Sequence, residues 1–238
     1  LQYGVEEALA AEIYNMSIVT GRGKRAIEDH FDNSFELEAQ LSGTPQEHYL
    51  NEINEIINNA NFTYIRQKKM LGLGHAILSA QPLIGNEVFA VILADDLCIS
   101  KNKSVTSQLK EIYNEYRCSV VAIEEIPIQQ THKYGIIDGR EIDKKKGVYE
   151  VSNMLEKPSQ HEAPSNLAII GRYILTPDIF NFLKITKPDR NGEIQITDAL
   201  NLQAQKERVI AVKFEGKRFD CGSVEGHLEA NNYFAKNL

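Results

Sequence analysis

The chain has 238 residues, 42% hydrophobic and 25% charged, enough to bury a sizeable core without disulfide or metal staples. Its formal net charge of −7 argues against a general binder of nucleic-acid backbone, which carries a basic excess or stripe, yet leaves room for a small phosphorylated ligand held by a few local cations. Cys98, Cys118 and Cys221 form no Cys-x-x-Cys pair, so zinc ligation is poorly supported and a reducing, cytoplasmic setting is expected. The longest apolar runs are strand-sized, short of the ~20 residues that span a bilayer. Glu6-Glu7 directly follows Leu1-Gln2-Tyr3-Gly4-Val5, so no signal peptide is expected at the start.

In chain order, residues 3–12 read as a helix and Met16 to Thr20 as a short buried strand stopped by Gly21-Arg22-Gly23. Residues 24–30 read as a helix. The polar stretch from Phe31 to Asn61 places Phe35, Leu37 and Leu41, then Leu50, Ile53, Ile56 and Ile57, at helical spacing, which predicts two helices joined by Ser42-Gly43-Thr44-Pro45. Residues 62–65 read as a strand and 75–81 as a helix. Phe89 to Ala94 is an uninterrupted apolar run, as expected for a strand buried on both faces of a parallel sheet. Next come a helix over 105–116, a buried strand over 118–123, and β-structure over 131–157 broken by the turn Asp143-Lys144-Lys145-Lys146-Gly147. Residues 166–175 form the last long strand, and Thr176-Pro177 reads as an N-cap and first helical position. Helices over 195–207 and 224–234 and short strands over 209–214 and 218–219 complete the pattern. Repeated β–α alternation with short connections predicts one domain with a doubly wound three-layer α/β fold.

Several segments could carry chemistry. The Phe89 run ends in Asp95-Asp96, and ligands of open α/β sheets bind beyond the carboxyl ends of strands. A carboxylate there suits a hard cation such as Mg²⁺ held against a phosphate, or it is a solvated turn. Gly72-Leu73-Gly74-His75 precedes a helical pattern, where glycines let backbone N–H groups approach a ligand. Gln67 lies five residues upstream and offers an amide acceptor and donor pair that matches one edge of uracil. Glu156-Lys157-Pro158 joins a carboxylate for vicinal sugar hydroxyls to a point charge for phosphate, and the proline predicts an extended Lys157; a solvated ion pair before a turn is the plainer reading. Asp220, in Arg218-Phe219-Asp220-Cys221-Gly222-Ser223, could face Asp95 across the sheet mouth, or serve helix capping, for which Ser223 is the better residue. Acidic residues in 192–198 suit a helix start. There is no His-x-x-x-His spacing and no Gly-x-Ser-x-Gly elbow, Cys118 reads as inert core, and no covalent nucleophile is indicated.

The set and order of these motifs is more specific than any member. Gln67 with Gly72-Leu73-Gly74-His75-Ala76, Leu93-Ala94-Asp95-Asp96, Lys133-Tyr134-Gly135, Glu156-Lys157-Pro158, Ala163-Pro164-Ser165-Asn166-Leu167-Ala168, Glu193-Ile194-Gln195-Ile196-Thr197-Asp198 and Phe219-Asp220-Cys221-Gly222-Ser223 occur together. The chain closely resembles the bacterial UTP–glucose-1-phosphate uridylyltransferases (UDP-glucose pyrophosphorylases) from end to end, and Gln2 to Ala8 matches that family's first helix. The resemblance implies a Rossmann-like nucleotidyltransferase fold with a mixed, mainly parallel sheet, a homodimer or homotetramer, and the substrates and products UTP, glucose 1-phosphate, UDP-glucose and pyrophosphate. It implies that Gln67 and the backbone at Gly72 read uracil, and that Asp95 binds Mg²⁺ with Asp220 as second ligand. Gly135, Glu156 and Asn166 would line the glucose pocket, and Lys157 would hold the sugar phosphate. Asp96 is then structural or outer-shell.

The family normally opens with a strand and a Gly-rich loop carrying a Thr-Arg pair, then a Pro-Lys-Glu segment. The match here starts in the helix that follows. If that region is missing, the sheet's first strand goes with it, and a central gap in the core and loss of turnover are expected. The competing class is a non-catalytic sugar-nucleotide binder or inactive paralogue; a glycosyltransferase with a similar carboxylate pair would not need both the Gln67–Gly72 and Glu156–Lys157 elements. The helices between Phe31 and Asn61 carry apolar faces that pack on their own domain or on another subunit.

Overall fold

The structure, a computed structural model, describes residues 1–237. Helix α1 (Gln2–Ala10) and strand β1 (Asn15–Thr20) open the chain, and α2 (Arg25–His30), α3 (Phe35–Leu41) and α4 (Glu47–Asn59) lead to β2 (Asn61–Arg66). Then come α5 (Gly72–Ser79), the short α6 (Gln81–Ile84), β3 (Phe89–Ile92), β4 (Asp96–Ile99), α7 (Val105–Tyr116) and β5 (Ser119–Glu125). A 3-10 turn (Ile128–Lys133) leads into the hairpin β6 (Gly135–Asp143) and β7 (Val148–Glu156). The last elements are β8 (Leu167–Leu175), α8 (Ile179–Ile185), α9 (Ile196–Ala204), β9 (Val209–Lys213), β10 (Lys217–Asp220) and α10 (Val224–Asn237).

The core forms around β8, which is buried along its whole length. Side chains of a strand alternate between faces. Ile169, Tyr173 and Leu175 meet Ile179, Phe180 and Leu183 of α8 and Ile196, Ala199 and Leu200 of α9. Ile170 and Ile174 point the other way, onto Val105, Leu109 and Ile112 of α7. Helices on both faces of one sheet give the expected three layers. Helix α7 keeps the sequence-predicted bounds because Val105, Leu109 and Ile112 share one face and the Ser104 side chain accepts the Ser107 N–H at its start.

The six-stranded sheet runs in the order β3-β8-β5-β9-β7-β6. Strands β3, β5, β9 and β6 share one direction, and β8 and β7 oppose them. The sheet is mixed as expected, but its ladders are mostly antiparallel, because β8 and β7 sit between co-directional strands; only β5–β9 is a parallel neighbour pair. β1 and β2 form a separate parallel pair, and β4 and β10 an antiparallel one.

Several local expectations are corrected. The apolar Phe89 run is a strand only to Ile92, pairs antiparallel with β8 rather than in a parallel ladder, and is half-buried rather than buried, with the Phe89 ring stacked on Phe180. Met16 to Val19 of β1 are half-buried rather than buried, and Thr20 is its one buried residue. Residues 131–133 are 3-10 turn, not strand. Thr176 does not cap α8; its hydroxyl bonds Ser119 and accepts from Gln203, and Asp178 holds the cap position. α5 begins at Gly72, inside the glycine motif, instead of after it. Among the described residues, no helix is long and apolar enough to cross a membrane.

Candidate active site

β3 ends at Ile92, and the chain turns through exposed Ala94-Asp95 before Asp96 opens β4. Because β10 pairs antiparallel with β4, Asp220 lies opposite Asp96 in register, which brings Asp220 alongside Asp95. The Asp95 carbonyl accepts the Cys221 N–H at 2.7 Å and ties the two loops together. A Cβ built on Gly222 would stand 3.2 Å from Asp220 Oδ1 and 3.4 Å from Asp95 Oδ2, so both carboxylates face one small glycine-lined space. Hard oxygen donors of this kind fit Mg²⁺, which is usually held by one or two carboxylates with waters and phosphates completing its shell. Among the described residues no group of three His, Cys, Asp or Glu forms an all-protein cage, so the fit is to an open site of that kind.

Asp96 differs from its neighbour. It is buried; Oδ2 accepts the Gly171 N–H at 2.7 Å and Oδ1 accepts Arg218 Nε at 2.5 Å. Burial pushes its carboxyl up against the pull of Arg218 and Gly171. With both oxygens occupied it braces β4 against β8 and β10.

Arg218 and Tyr134 escaped the sequence reading. Arg218 is nearly buried and reaches Asp96, Glu124 Oε2 at 3.4 Å and Asp220 Oδ2 at 3.5 Å, with its guanidinium 5.0 Å over the Tyr134 ring. The Tyr134 hydroxyl donates to Asp220 Oδ2 at 2.9 Å. Burial opposes the Arg218 charge, but Asp96 and Tyr134 outweigh it and push its proton affinity up. A signal existed: in a strand, Arg218 and Asp220 fall on one face. The partners on other elements carried none.

At the other end of the sheet mouth, β6 and β7 put Gly135 opposite Glu156. A Cβ on Gly135 would stand 2.6 Å from Thr197 Oγ1 and 3.3 Å from Glu156 Oε2, so glycine is required for this close approach. Lys157 N–H donates to the Tyr134 carbonyl at 3.0 Å, and Lys157 Nζ lies 3.5 Å from Glu156 Oε1. The extended geometry expected for Lys157 is not observed: its φ is +47°, a left-handed value unusual for a side-chain-bearing residue and held by that backbone bond. Asn166 is exposed just before β8, its carbonyl accepting the Ile126 N–H at 3.0 Å; among the described residues no hydrogen bond joins its side chain to Gly135 or Glu156. Tyr173 is buried in the core on β8, and burial raises its hydroxyl's proton affinity, with Asp96 and Glu156 adding to the effect.

The third part follows β2. Gln67 Nε2 donates to the Gly72 carbonyl at 3.1 Å and lies 3.0 Å from His75 Nδ1. The carbonyl acceptor fixes the amide orientation, leaving Gln67 Oε1 for a donor from outside. Gly72 has φ +86°, and Gly74 N–H donates to the Ile194 carbonyl at 2.8 Å. Glu193 and Ile194 are therefore not part of a helix start; they form a loop seated on the glycines, shaped by the Asp189 carboxylate, which accepts from Asn191 N, Glu193 N and Gln195 Nε2.

Residues 1–237 match the nucleotidyl transferase family. The chain is 56% identical to a UTP–glucose-1-phosphate uridylyltransferase of Pseudomonas aeruginosa, over 100% of this chain and 85% of the relative. It superposes on an apo UDP-glucose pyrophosphorylase with a TM-score of 0.95 at 58% identity, covering 100% of this chain and 87% of that one. A second structure, a UDP-glucose pyrophosphorylase complexed with UDP-glucose, gives a TM-score of 0.92 at 55% identity, with 100% and 86% coverage.

Proposed function

The chain belongs to the nucleotidyl transferase family, and from that premise we propose that it is a uridylyltransferase that makes UDP-glucose and pyrophosphate from UTP and glucose 1-phosphate. The observation that carries this reading is the layout of the sheet mouth. An amide-and-glycine element (Gln67, Gly72), a carboxylate pair (Asp95, Asp220) and a carboxylate–lysine pair (Glu156, Lys157) match in kind a uracil base, a metal with its phosphates, and a sugar phosphate.

In this reading a phosphate oxygen of glucose 1-phosphate attacks the α-phosphorus of UTP in line; a P–O bond forms as the bond to pyrophosphate breaks. The attacking oxygen is already anionic, so no general base is required. The obstacle is repulsion between two highly charged reactants, which positioning and charge neutralisation must overcome. Lys157 neutralises the attacking phosphate, and Glu156 accepts hydrogen bonds from sugar hydroxyls that glycine at 135 allows to come close. Asn166 completes the sugar side if its exposed side chain turns inward. Gln67 Oε1 and the Gly72 backbone hold the base. Asp95 and Asp220 would hold Mg²⁺, which when bound supplies positive charge against the phosphates.

Residues 1–238 are read as one nucleotidyltransferase unit acting in the cytoplasm, neither on nucleic acid nor at a membrane. Self-association as a homodimer or homotetramer is placed on the α3–α4 face, where Phe35, Leu37 and Tyr49 are exposed; molar mass in solution reads it out. The deciding experiment is Asp95→Asn: Mg²⁺-dependent turnover falls about 10²-fold or more while UDP-glucose still binds by calorimetry. A near-normal rate sinks the metal assignment. UDP-glucose binding by the unsubstituted chain without pyrophosphorolysis makes it a non-catalytic binder instead.

A further inference from the structure

We propose that Tyr134 and Arg218 are positioning residues for Asp220, an assignment that rests on the metal reading above. The two oxygens of Asp220 are not equivalent. Oδ2 accepts the Tyr134 hydroxyl at 2.9 Å and lies 3.5 Å from Arg218. Oδ1 accepts only the Gly222 N–H, at 3.2 Å, and is the oxygen that shares the space at Gly222 with Asp95 Oδ2. A carboxylate left to itself rotates broadly about its last torsion. A hydrogen bond from Tyr134 and the nearby Arg218 charge on one oxygen restrict that freedom and leave the other oxygen aimed at the space Asp95 faces.

Charge supports the same assignment. Asp96, Glu124 and Asp220 cluster around the Arg218 guanidinium. Arg218 is matched most closely by Asp96, at 2.5 Å. It therefore steers Asp220 from the farther side without cancelling the negative charge that Asp95 and Asp220 present to a divalent cation. Without Arg218, Asp96 and Asp220 would be like charges opposed in register across β4 and β10. Tyr134 has a second hold: its carbonyl fixes the backbone of Lys157. One residue thus sets the spacing between the metal carboxylate and the phosphate lysine. Neither Tyr134 nor Arg218 contacts the reacting atoms in this scheme; both act through Asp220.

The test follows Mn²⁺ binding by the electron paramagnetic resonance of the free ion in the unsubstituted chain, Tyr134→Phe, Arg218→Lys and Asp220→Asn, with UDP-glucose affinity in EDTA measured beside it. Tyr134→Phe keeps the ring under Arg218 and removes only the hydroxyl. It is expected to weaken Mn²⁺ about fivefold, the effect of one lost hydrogen bond, with metal-free UDP-glucose affinity within about twofold. Arg218→Lys, which lacks the planar fork, weakens Mn²⁺ about tenfold, and Asp220→Asn weakens it most. Unchanged or tighter Mn²⁺ binding in both Tyr134→Phe and Arg218→Lys, with Asp220→Asn impaired, overturns the positioning role and leaves the metal carboxylate standing. Unchanged binding in Asp220→Asn overturns the metal reading and this assignment with it. Equal losses of Mn²⁺ and metal-free UDP-glucose binding in Tyr134→Phe reduce the tyrosine to structural support and also overturn the proposal.

Discussion

Arg172 is the largest fully buried side chain, set in the middle of the apolar strand β8. Its guanidinium meets Glu7 bidentately, Nε at 3.0 Å from Oε1 and NH2 at 2.8 Å from Oε2, and NH1 donates to the carbonyls of Leu93 and Gly171 at 3.1 Å. Glu7 Oε1 also accepts the Thr106 N–H and hydroxyl. A buried pair of this kind adds little net stability, but removing one partner strands a charge and costs about 3–5 kcal/mol. Glu7→Gln keeps the shape and an acceptor for Thr106 while leaving Arg172 without its counter-charge. Urea unfolding at neutral pH is expected to show a loss of about that size, and a loss below about 1 kcal/mol would refute the account. Because Arg172 also holds the Leu93 carbonyl, two residues before Asp95, the damage reaches the strand end that carries the candidate metal ligand. A charged residue inside an apolar strand advertised a partner in the sequence; Glu7, on a helix at the far end of the chain, could not be found there.

Elements show where sequence patterns succeed. Helix α7 and the β6–β7 hairpin were legible because a cap, a 3.6-residue period and a lysine-rich turn all act locally. The Phe89 run does not show its own ladder direction, because an apolar strand reads alike beside parallel and antiparallel neighbours. Within 192–198 the expected helix start holds for Asp198, in the first turn of α9, but Glu193 lies in the preceding loop, whose role is to seat Ile194 on the glycines of α5. That role yields a prediction. A Cβ on Gly74 would stand 2.7 Å from the Ile194 carbonyl oxygen and 2.9 Å from Leu183 Cδ2, so Gly74→Ala must push the loop or α5 aside, an overpacking penalty of about 1–3 kcal/mol. The shift falls on the helix turn whose carbonyl at Gly72 fixes Gln67. Calorimetry is expected to show UDP-glucose affinity at least about tenfold weaker; an unchanged affinity would separate the glycine motif from nucleotide binding.

At the scale of the molecule, the parts of the candidate site read as holding the base and the sugar lie on separate hydrogen-bonded bodies. Gln67 follows the β1–β2 pair, which shares no ladder with the six-stranded sheet, whereas Gly135, Glu156 and Lys157 belong to that sheet and its hairpin. The β1–β2 side has its own small core, Val5, Phe31 and Ile56 with Met16, Ile18 and Phe62 around them. The resemblance to a family with a further opening strand implies a gap in the core if that strand is missing, but the motif list alone does not reveal this division, because strand order depends on pairing between distant segments. Its consequence is that a ligand touching both bodies acts as a cross-link. Any ligand bound only by the folded state stabilises it by mass action, about 2.7 kcal/mol at a hundredfold excess over its dissociation constant. UDP-glucose should therefore slow amide exchange on both sides at once, around Gln67–His75 and around Tyr134–Gly135 with Glu156–Lys157. Glucose 1-phosphate alone should protect the second region, and UTP mainly the first. Hydrogen–deuterium exchange resolves the two regions, and protection by UDP-glucose confined to one of them would mean that the base and the sugar are not held across this mouth.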